Sequence, residues 1–314
     1  MKKLFTIAAL AFTISLSAQQ DPQFTQFFFN KLWVNPGAAG ANDAICANLL
    51  GRNQWMGFDG HPRTMAFSAD MPINSINSGV GLSFYQDKLG QISSTNVKLA
   101  YAYRLKLGSG RLGLGVDLGY LGKGFADIGE FSPLQGNDPI VDQLAGSNAG
   151  TFDMSFGAFY SNEKLYFGVS ATHLTGQNFK FDDNTSVAPA QFGAAQHLWV
   201  MGGYNWEISP DFTLKPAFIV KSDLASTQVD INATAVFMNR FWGGLSYRLQ
   251  DALAVNVGLN IWKDLKLGLA YDITTSKLNQ YSSGSAELFL GYCFKIEKPT
   301  VKTKFFNTRN LSDR

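Results

Sequence analysis

Charge is scarce in this chain. Asp, Glu, Lys and Arg make up 16% of its 314 residues, where soluble domains carry about 25%. There are only 3 histidines and 2 cysteines. His61, His173 and His197 stand far apart, without metal-ligand spacing. No nucleophile elbow or triad order is present. The run Gly113-Leu114-Gly115-Val116-Asp117-Leu118-Gly119 has the wrong spacing for a dinucleotide site. An enzyme, a cofactor and a bound metal are therefore not expected. The formal net charge of +2 gives no reason to expect a nucleic-acid partner. Past the N-terminus there is no apolar run of the ~18 residues that a spanning helix needs. Entry into a membrane would have to be as a closed barrel.

What the N-terminus does have is a leader pattern. Met1-Lys2-Lys3 is a short positive region, Leu4 to Leu16 is apolar, and Leu16-Ser17-Ala18 offers small residues before Gln19. Cleavage after Ala18 is expected. No cysteine follows the apolar stretch, so a lipoprotein is not expected.

The mature sequence alternates with period two, the mark of a strand with one greasy face. Val97, Leu99, Tyr101, Tyr103, Leu105 and Leu107 interleave with Lys98, Ala100, Ala102, Arg104 and Lys106. The pattern returns at Val229, Ile231, Ala233, Ala235 and Phe237, against Gln228, Asp230, Asn232 and Thr234. Such segments are longer than the ~5–6 residues usual in sandwich strands and fit transmembrane strands. The expected fold is all-β: a transmembrane antiparallel β-barrel of about 14 strands, following a cleaved signal peptide. Strands are expected to start near Ala44, Arg63, Ser78, Ser93, Gly110, Thr151, Leu165, Gln196, Phe212, Gln228, Phe241, Ala252, Leu265 and Ser285. With the first strand running outward, the long connections 126–150, 176–195 and 275–284 all fall outside. The short turns at 108–110, 161–164, 239–240 and 263–264 fall on the periplasmic side, as in outer-membrane barrels. The organisation read from this is a signal peptide (1–18), a periplasmic or lumen segment (19–43), the barrel (44–295) and a basic tail (296–314).

Lys98, Arg104, Lys106, Asp117, Lys123, Lys215, Asp230, Lys266, Asp272 and Glu287 share the polar faces of their strands. Facing lipid at mid-membrane, a Lys or Arg would cost ~2–4 kcal/mol, so these side chains are expected in the lumen or at its rims. Trp55, Trp199, Trp206, Trp242 and Trp262 lie near segment ends and suggest an interfacial girdle. Barrel closure would bring Cys46 and Cys293 onto neighbouring strands. Pairing across adjacent strands is often strained, so two packed, unpaired thiols are the expectation.

Six segments in order are more specific. They are DPQFTQFFFNKLWVNPGAAG (21–40), GRNQWMGFDGHPRT (51–64), GLSFYQDKLG (81–90), KLAYAYRL (98–105), GGLSYRLQDA (243–252) and LGLAYDITTSKL (267–278). Through them the chain resembles the PorP/SprF family of outer-membrane proteins associated with type IX secretion and gliding. It departs from that family at Ala286, where a histidine usually precedes the glutamate of the last strand. A tyrosine is often found where Ala38 or Ala39 stands. The resemblance implies a multi-pass outer-membrane protein that touches lipid and supports export or surface attachment of secreted proteins. Its implied partners are periplasmic ring or lipoprotein components of the type IX system, or one secreted adhesin. Asn35, Pro36, Gly40, Gln54, Trp55, Pro62, Asp87, Gly90, Tyr103, Arg104, Tyr271 and Asp272 occupy the motif positions and are the candidate functional residues. Asp272 and Arg104 are inward charges that could pair. The mixed inward charges leave a porin-like channel for small solutes as the competing expectation.

Overall fold

The computed structural model describes residues 21–126, 145–176, 178–181, 191–262 and 264–295. The expected signal peptide and basic tail lie outside the described residues. Among the described residues seventeen strands form: β1 (Ala44–Met56), β2 (Arg63–Ile73), β3 (Ser78–Leu89), β4 (Ile92–Leu107), β5 (Gly110–Phe125), β6 (Asn148–Ser161), β7 (Leu165–Thr172), β8 (Asn178–Lys180), β9 (Gln191–Gly193), β10 (His197–Tyr204), β11 (Trp206–Ser209), β12 (Phe212–Ser222), β13 (Thr227–Phe237), β14 (Phe241–Arg248), β15 (Ala252–Trp262), β16 (Leu265–Thr274) and β17 (Gly284–Lys295). Each barrel strand pairs antiparallel with its neighbour in sequence, and β17 returns to pair with β1. The stretch β10–β11, interrupted at Asn205, bridges β7 to β12. Counted as one, it makes a closed barrel of 14 strands. Closure pairs the backbone groups of the ladder and leaves no open edge, which the hydrocarbon core demands. Strand starts fall within three residues of the expected positions. The hairpin β8–β9, inside an outer connection, was not foreseen.

The alternation sorts the two faces. Along β4, Leu99, Tyr101, Tyr103 and Leu105 are exposed on the outside, while Lys98, Ala100, Ala102 and Arg104 are buried within. Along β13, Ile231 faces out and Asp230, Asn232 and Thr234 face in. No helix among the described residues is long and apolar enough to cross a membrane. The outward band of Leu, Val, Ile, Phe and Tyr is the lipid-facing surface.

Residues 21–43 fold inside the barrel. They make a short extended stretch, two 3₁₀ turns (Lys31–Trp33 and Pro36–Ala38) and a final bend into β1. Phe24, Phe27, Leu32, Val34, Ala38 and Ala39 are buried against inward side chains from around the wall. The segment runs lengthwise: Asp21 lies beside His173, just past the outer end of β7, and Gly40 lies against Met71 and Pro72 near the periplasmic end of β2.

Two expectations are corrected. Cys46 and Cys293 form a disulfide; they stand directly opposite each other in the β1–β17 register, with Cα atoms 4.1 Å apart. The seam brings the two sulfurs together, and no free thiol remains among the described residues. The girdle is also smaller than expected. Trp206 and Trp262 face outward, but Trp199 and Trp242 fall on inward positions of β10 and β14 and are buried in the lumen. Nearness to a segment end does not fix which face a residue takes; its parity along the strand does.

Candidate functional site

The lumen of the outer half is built around buried charge. Arg52 on β1 reaches Asp272 on β16 at 2.7 Å and Glu287 on β17 at 3.0 Å. Arg248 on β14 contacts Asp230 at 3.0 Å, Asp272 at 3.2 Å and Asp251 at 3.4 Å. The Arg52, Asp272 and Glu287 side chains are all at most 2% exposed. In such surroundings an unpaired charge is expensive, so the ions must be matched closely. The luminal segment completes the match. The backbone N–H groups of Thr25 and Gln26 donate to the two Glu287 oxygens at 2.8 and 2.9 Å. The Thr25 hydroxyl donates to Asp272 Oδ1 at 2.6 Å, and Arg52 Nη1 donates to the Thr25 Oγ1 at 3.1 Å.

A second network holds the start of the described chain. Lys98 Nζ lies 2.8 Å from Asp153 and 3.6 Å from Asp117. Asp153 faces His173 Nδ1 at 2.8 Å, and His173 Nε2 donates to Asp21 at 2.9 Å. Lys221 Nζ donates to the Asp21 carbonyl at 2.8 Å. Burial alone would lower the His173 pKa, but the Asp21 charge and the hydrogen bonds to Asp153 and Asp21 raise it to about 9. Burial would raise Asp21, but His173 above all, with His197 and Lys221, holds its carboxyl well below the usual range. His173 and His197, distant in sequence, have ring centroids 5.8 Å apart. With Asp21 they bring three possible ligand atoms within 4.8 Å of one another. The sequence spacing of the histidines concealed this grouping. Protons account for its contacts, since both His173 nitrogens already face carboxylates.

Lower down, contact is through backbone. Asn35 Nδ2 donates to the carbonyls of Ala158 and Val169 on β6 and β7 at 3.0 and 3.1 Å, and its Oδ1 caps the N–H of Gly37 at 2.9 Å. Gly40 takes φ +70° and donates its N–H to Asp70 Oδ2 at 2.8 Å. The inner-face glycines read from the sequence have a role here. A Cβ at Gly115 would overlap the Pro36 carbonyl group, and one at Gly79 would overlap that of Ala39. The turn Pro36–Ala38 therefore lies directly on the strands, with no side chain between them.

The candidate residues are thus divided among several places. Asn35, Pro36 and Gly40 belong to the luminal segment. Arg104 meets Asp43 at 2.8 Å, where that segment enters β1. It does not pair with Asp272, because Arg104 is near the periplasmic end of β4 and Asp272 near the outer end of β16. Gln54, Trp55, Pro62, Asp87 and Gly90 gather at the outer hairpins. There Gln54 N–H donates to the Pro62 carbonyl, Trp55 N–H to Ser285 Oγ, the Thr64 hydroxyl to Asp87, and Gly90 N–H to the Gly60 carbonyl. Tyr103 and Tyr271 face lipid. Sequence reasoning missed Asp21, Thr25, Arg52 and Arg248 as partners. The inward parity of Arg52, two positions from the buried Leu50, was the available signal.

A closed antiparallel cylinder, apolar outside and filled by its own N-terminal segment, defines an outer-membrane β-barrel. The profile of the family described as type IX secretion system membrane protein PorP/SprF matches residues 16–292, and the chain belongs to that family. No curated protein sequence matches it significantly. Among solved structures it is similar to Omp33 of Acinetobacter baumannii, with 7% identity and a TM-score of 0.48 over 81% of this chain and 100% of that one. It is also similar to a FadL homologue of Pseudomonas aeruginosa, with 11% identity and a TM-score of 0.46 over 90% and 96%. A TodX mutant, described as a monoaromatic hydrocarbon channel, gives 9% and 0.47 over 88% and 95%.

Proposed function

We propose that this protein is a non-catalytic docking barrel of the type IX secretion machinery. It supports export or surface attachment of secreted proteins such as adhesins by holding partners at its two ends. The observation that carries this reading is the plug that residues 21–43 form across the lumen. Residues 21–43 occupy the space that a solute would use and are tied to the wall by Glu287, Asp272, Asn35 and Asp70. That leaves the outer connections and the periplasmic mouth as the surfaces for other proteins. The porin-like alternative is disfavoured by the same packing. The test has two arms. Deleting the gene is expected to abolish export or surface display of a type IX cargo. Purified barrel in planar bilayers is expected to show no steady conductance. Normal export by the deletion strain would overturn the docking reading, and a steady ion-selective conductance would favour the channel.

A further inference from the structure

Beneath the luminal segment the barrel is not filled. A vestibule of about 970 Å³ lies at the end that carries the short turns, lined by residues such as Ser109, Asn162, Asn239 and Asp264. In an outer-membrane barrel that end faces the periplasm. Its wall charges are unbalanced: Lys31, Arg104, Lys106, Arg111, Lys215, Lys266 and Lys295 against Asp43, Glu163 and Asp264. Asp43 is already shared by Arg104 and Arg111 at 2.8 and 3.0 Å. Among the described residues no carboxylate lies within ion-pair distance of Lys31, Lys106, Lys215, Lys266 or Lys295. Lys31 and Lys266 lie instead over the rings of Tyr166 and Phe29, at 4.2 and 5.5 Å from the centroids. Burial first, and then repulsion from Lys266 and Lys215, lowers the Lys31 pKa to about 8. Like charges gathered around one opening, in excess of their counter-charges, make a surface complementary to an anion.

We infer that this vestibule is a docking cup for a carboxylate-rich polypeptide segment of a periplasmic partner. The inference rests on the docking reading above. The size supports a chain segment, since the volume is at the top of the range of small-molecule sites, about 300–1,000 Å³. The floor supports it too, because Phe28, Phe29, Trp242 and Phe289 offer apolar contact beside the charges. The protein's own residues 296–314 have the wrong sign for the cup, with Lys298, Lys302, Lys304, Arg309 and Arg314 against Glu297 and Asp313. Docking of this kind weakens as salt screens the charges.

The test uses full-length barrel in detergent and a fluorescein-labelled dodecapeptide of alternating Glu and Gly, with anisotropy as the readout. Binding is expected for the wild type. The double variant Lys215→Glu/Lys266→Glu should bind at least about tenfold more weakly, and Lys88→Glu, at the outer rim, should bind normally. Heat-modifiable migration on gels confirms that each variant is a folded barrel. Equal binding by the double variant, or equal binding of a Lys-Gly peptide, would overturn the inference. So would full displacement by inorganic phosphate at matched charge, which would make the cup a small-anion site. In cells, normal export by the double variant but none by the gene deletion would sink the cup and leave the docking reading standing. Peptide binding together with normal export by the deletion strain would do the reverse.

Discussion

The hydroxyl of Thr25 donates to Oδ1 of Asp272 at 2.6 Å, across a sequence separation of 247 residues. The bond joins the luminal segment to the inner wall at a point where Asp272 also receives Arg52 and Arg248. The segment is therefore a member of the ion network rather than a strand of chain lying in a hole. The network has two arginines and four carboxylates, so each arginine is shared.

Arg52→Met is expected to be the most damaging single change in the barrel. It leaves Asp272 and Glu287 buried with reduced compensation, and loss of one partner from a buried pair costs about 3–5 kcal/mol. Arg52→Lys should recover only part of that, because one ammonium cannot repeat the two-pronged contact. Thermal conversion of the compact gel species in detergent measures both. A transition for Arg52→Met equal to wild type would refute this account of the network.

Gly115→Val and Gly79→Val should displace the luminal segment while the barrel still forms. Each added side chain meets backbone of that segment, at Pro36 and at Ala39, whereas the strands on either side remain paired. Gly51 has nothing within 4 Å of an added Cβ, so Gly51→Ala is expected to be silent. Planar-bilayer recording separates the cases: the two valine variants should conduct, and Gly51→Ala and wild type should not. Silent valine variants would mean that the segment tolerates the added bulk.

The anchoring of Asp21 should depend on pH in both directions. The His173 pKa rises from 6.5 to about 9 in the folded state. Its contribution is thus complete below about 6.5 and is lost as pH climbs through 9. Asp21 is lowered from 3.8, so its contribution is present above that value and is lost on further acidification. Anchoring is therefore firmest between about pH 4 and 6.5. Limited proteolysis or hydrogen exchange of the segment around Asp21 should slow in that window and quicken near pH 10. His173→Gln should remove the alkaline limb and weaken the acid one, because His173 is the chief group that lowers Asp21. An alkaline limb that persists in His173→Gln would assign it to another group.

Much of this fold is legible in the sequence, for a simple reason. A strand between lipid and lumen must alternate, and the cost of a lipid-facing charge enforces it. Leu99, Tyr101 and Tyr103 against Lys98 and Arg104 therefore reveal the wall, its parity and nearly every strand start. The site is less legible. Nothing local in Asp21-Pro22-Gln23-Phe24-Thr25-Gln26 says that it lies inside a barrel, because its partners come from β1, β12, β16 and β17 and from His173 just past β7. The pairing of His173 with Asp21 and the approach of His197 depend on closure, which no spacing rule encodes. The same limit explains why Arg104 and Asp272 read as inward charges that could pair. Both are inward, but inward parity says nothing about depth, and depth gave Arg104 to Asp43 instead.

The Cys46–Cys293 disulfide crosses the seam where the first and last strands meet, spanning 247 residues of sequence. Such a link commonly contributes about 2–4 kcal/mol, mostly by restricting the unfolded chain. Here the seam is also held by a ladder running from Ala44–Lys295 to Met56–Gly284, so the barrel should close without the sulfurs. Cys46→Ser/Cys293→Ser is therefore expected to fold and to keep its luminal segment, but to lose the compact gel species at a lower temperature. Cys293 lines the periplasmic vestibule, so a small soluble reductant reaches the bond from that mouth. Reduced wild type should then match the double variant. Identical transitions for oxidised, reduced and doubly substituted protein would show that the ladder alone sets the stability of the seam. Failure of the double variant to form a barrel would show instead that the bond is needed for closure.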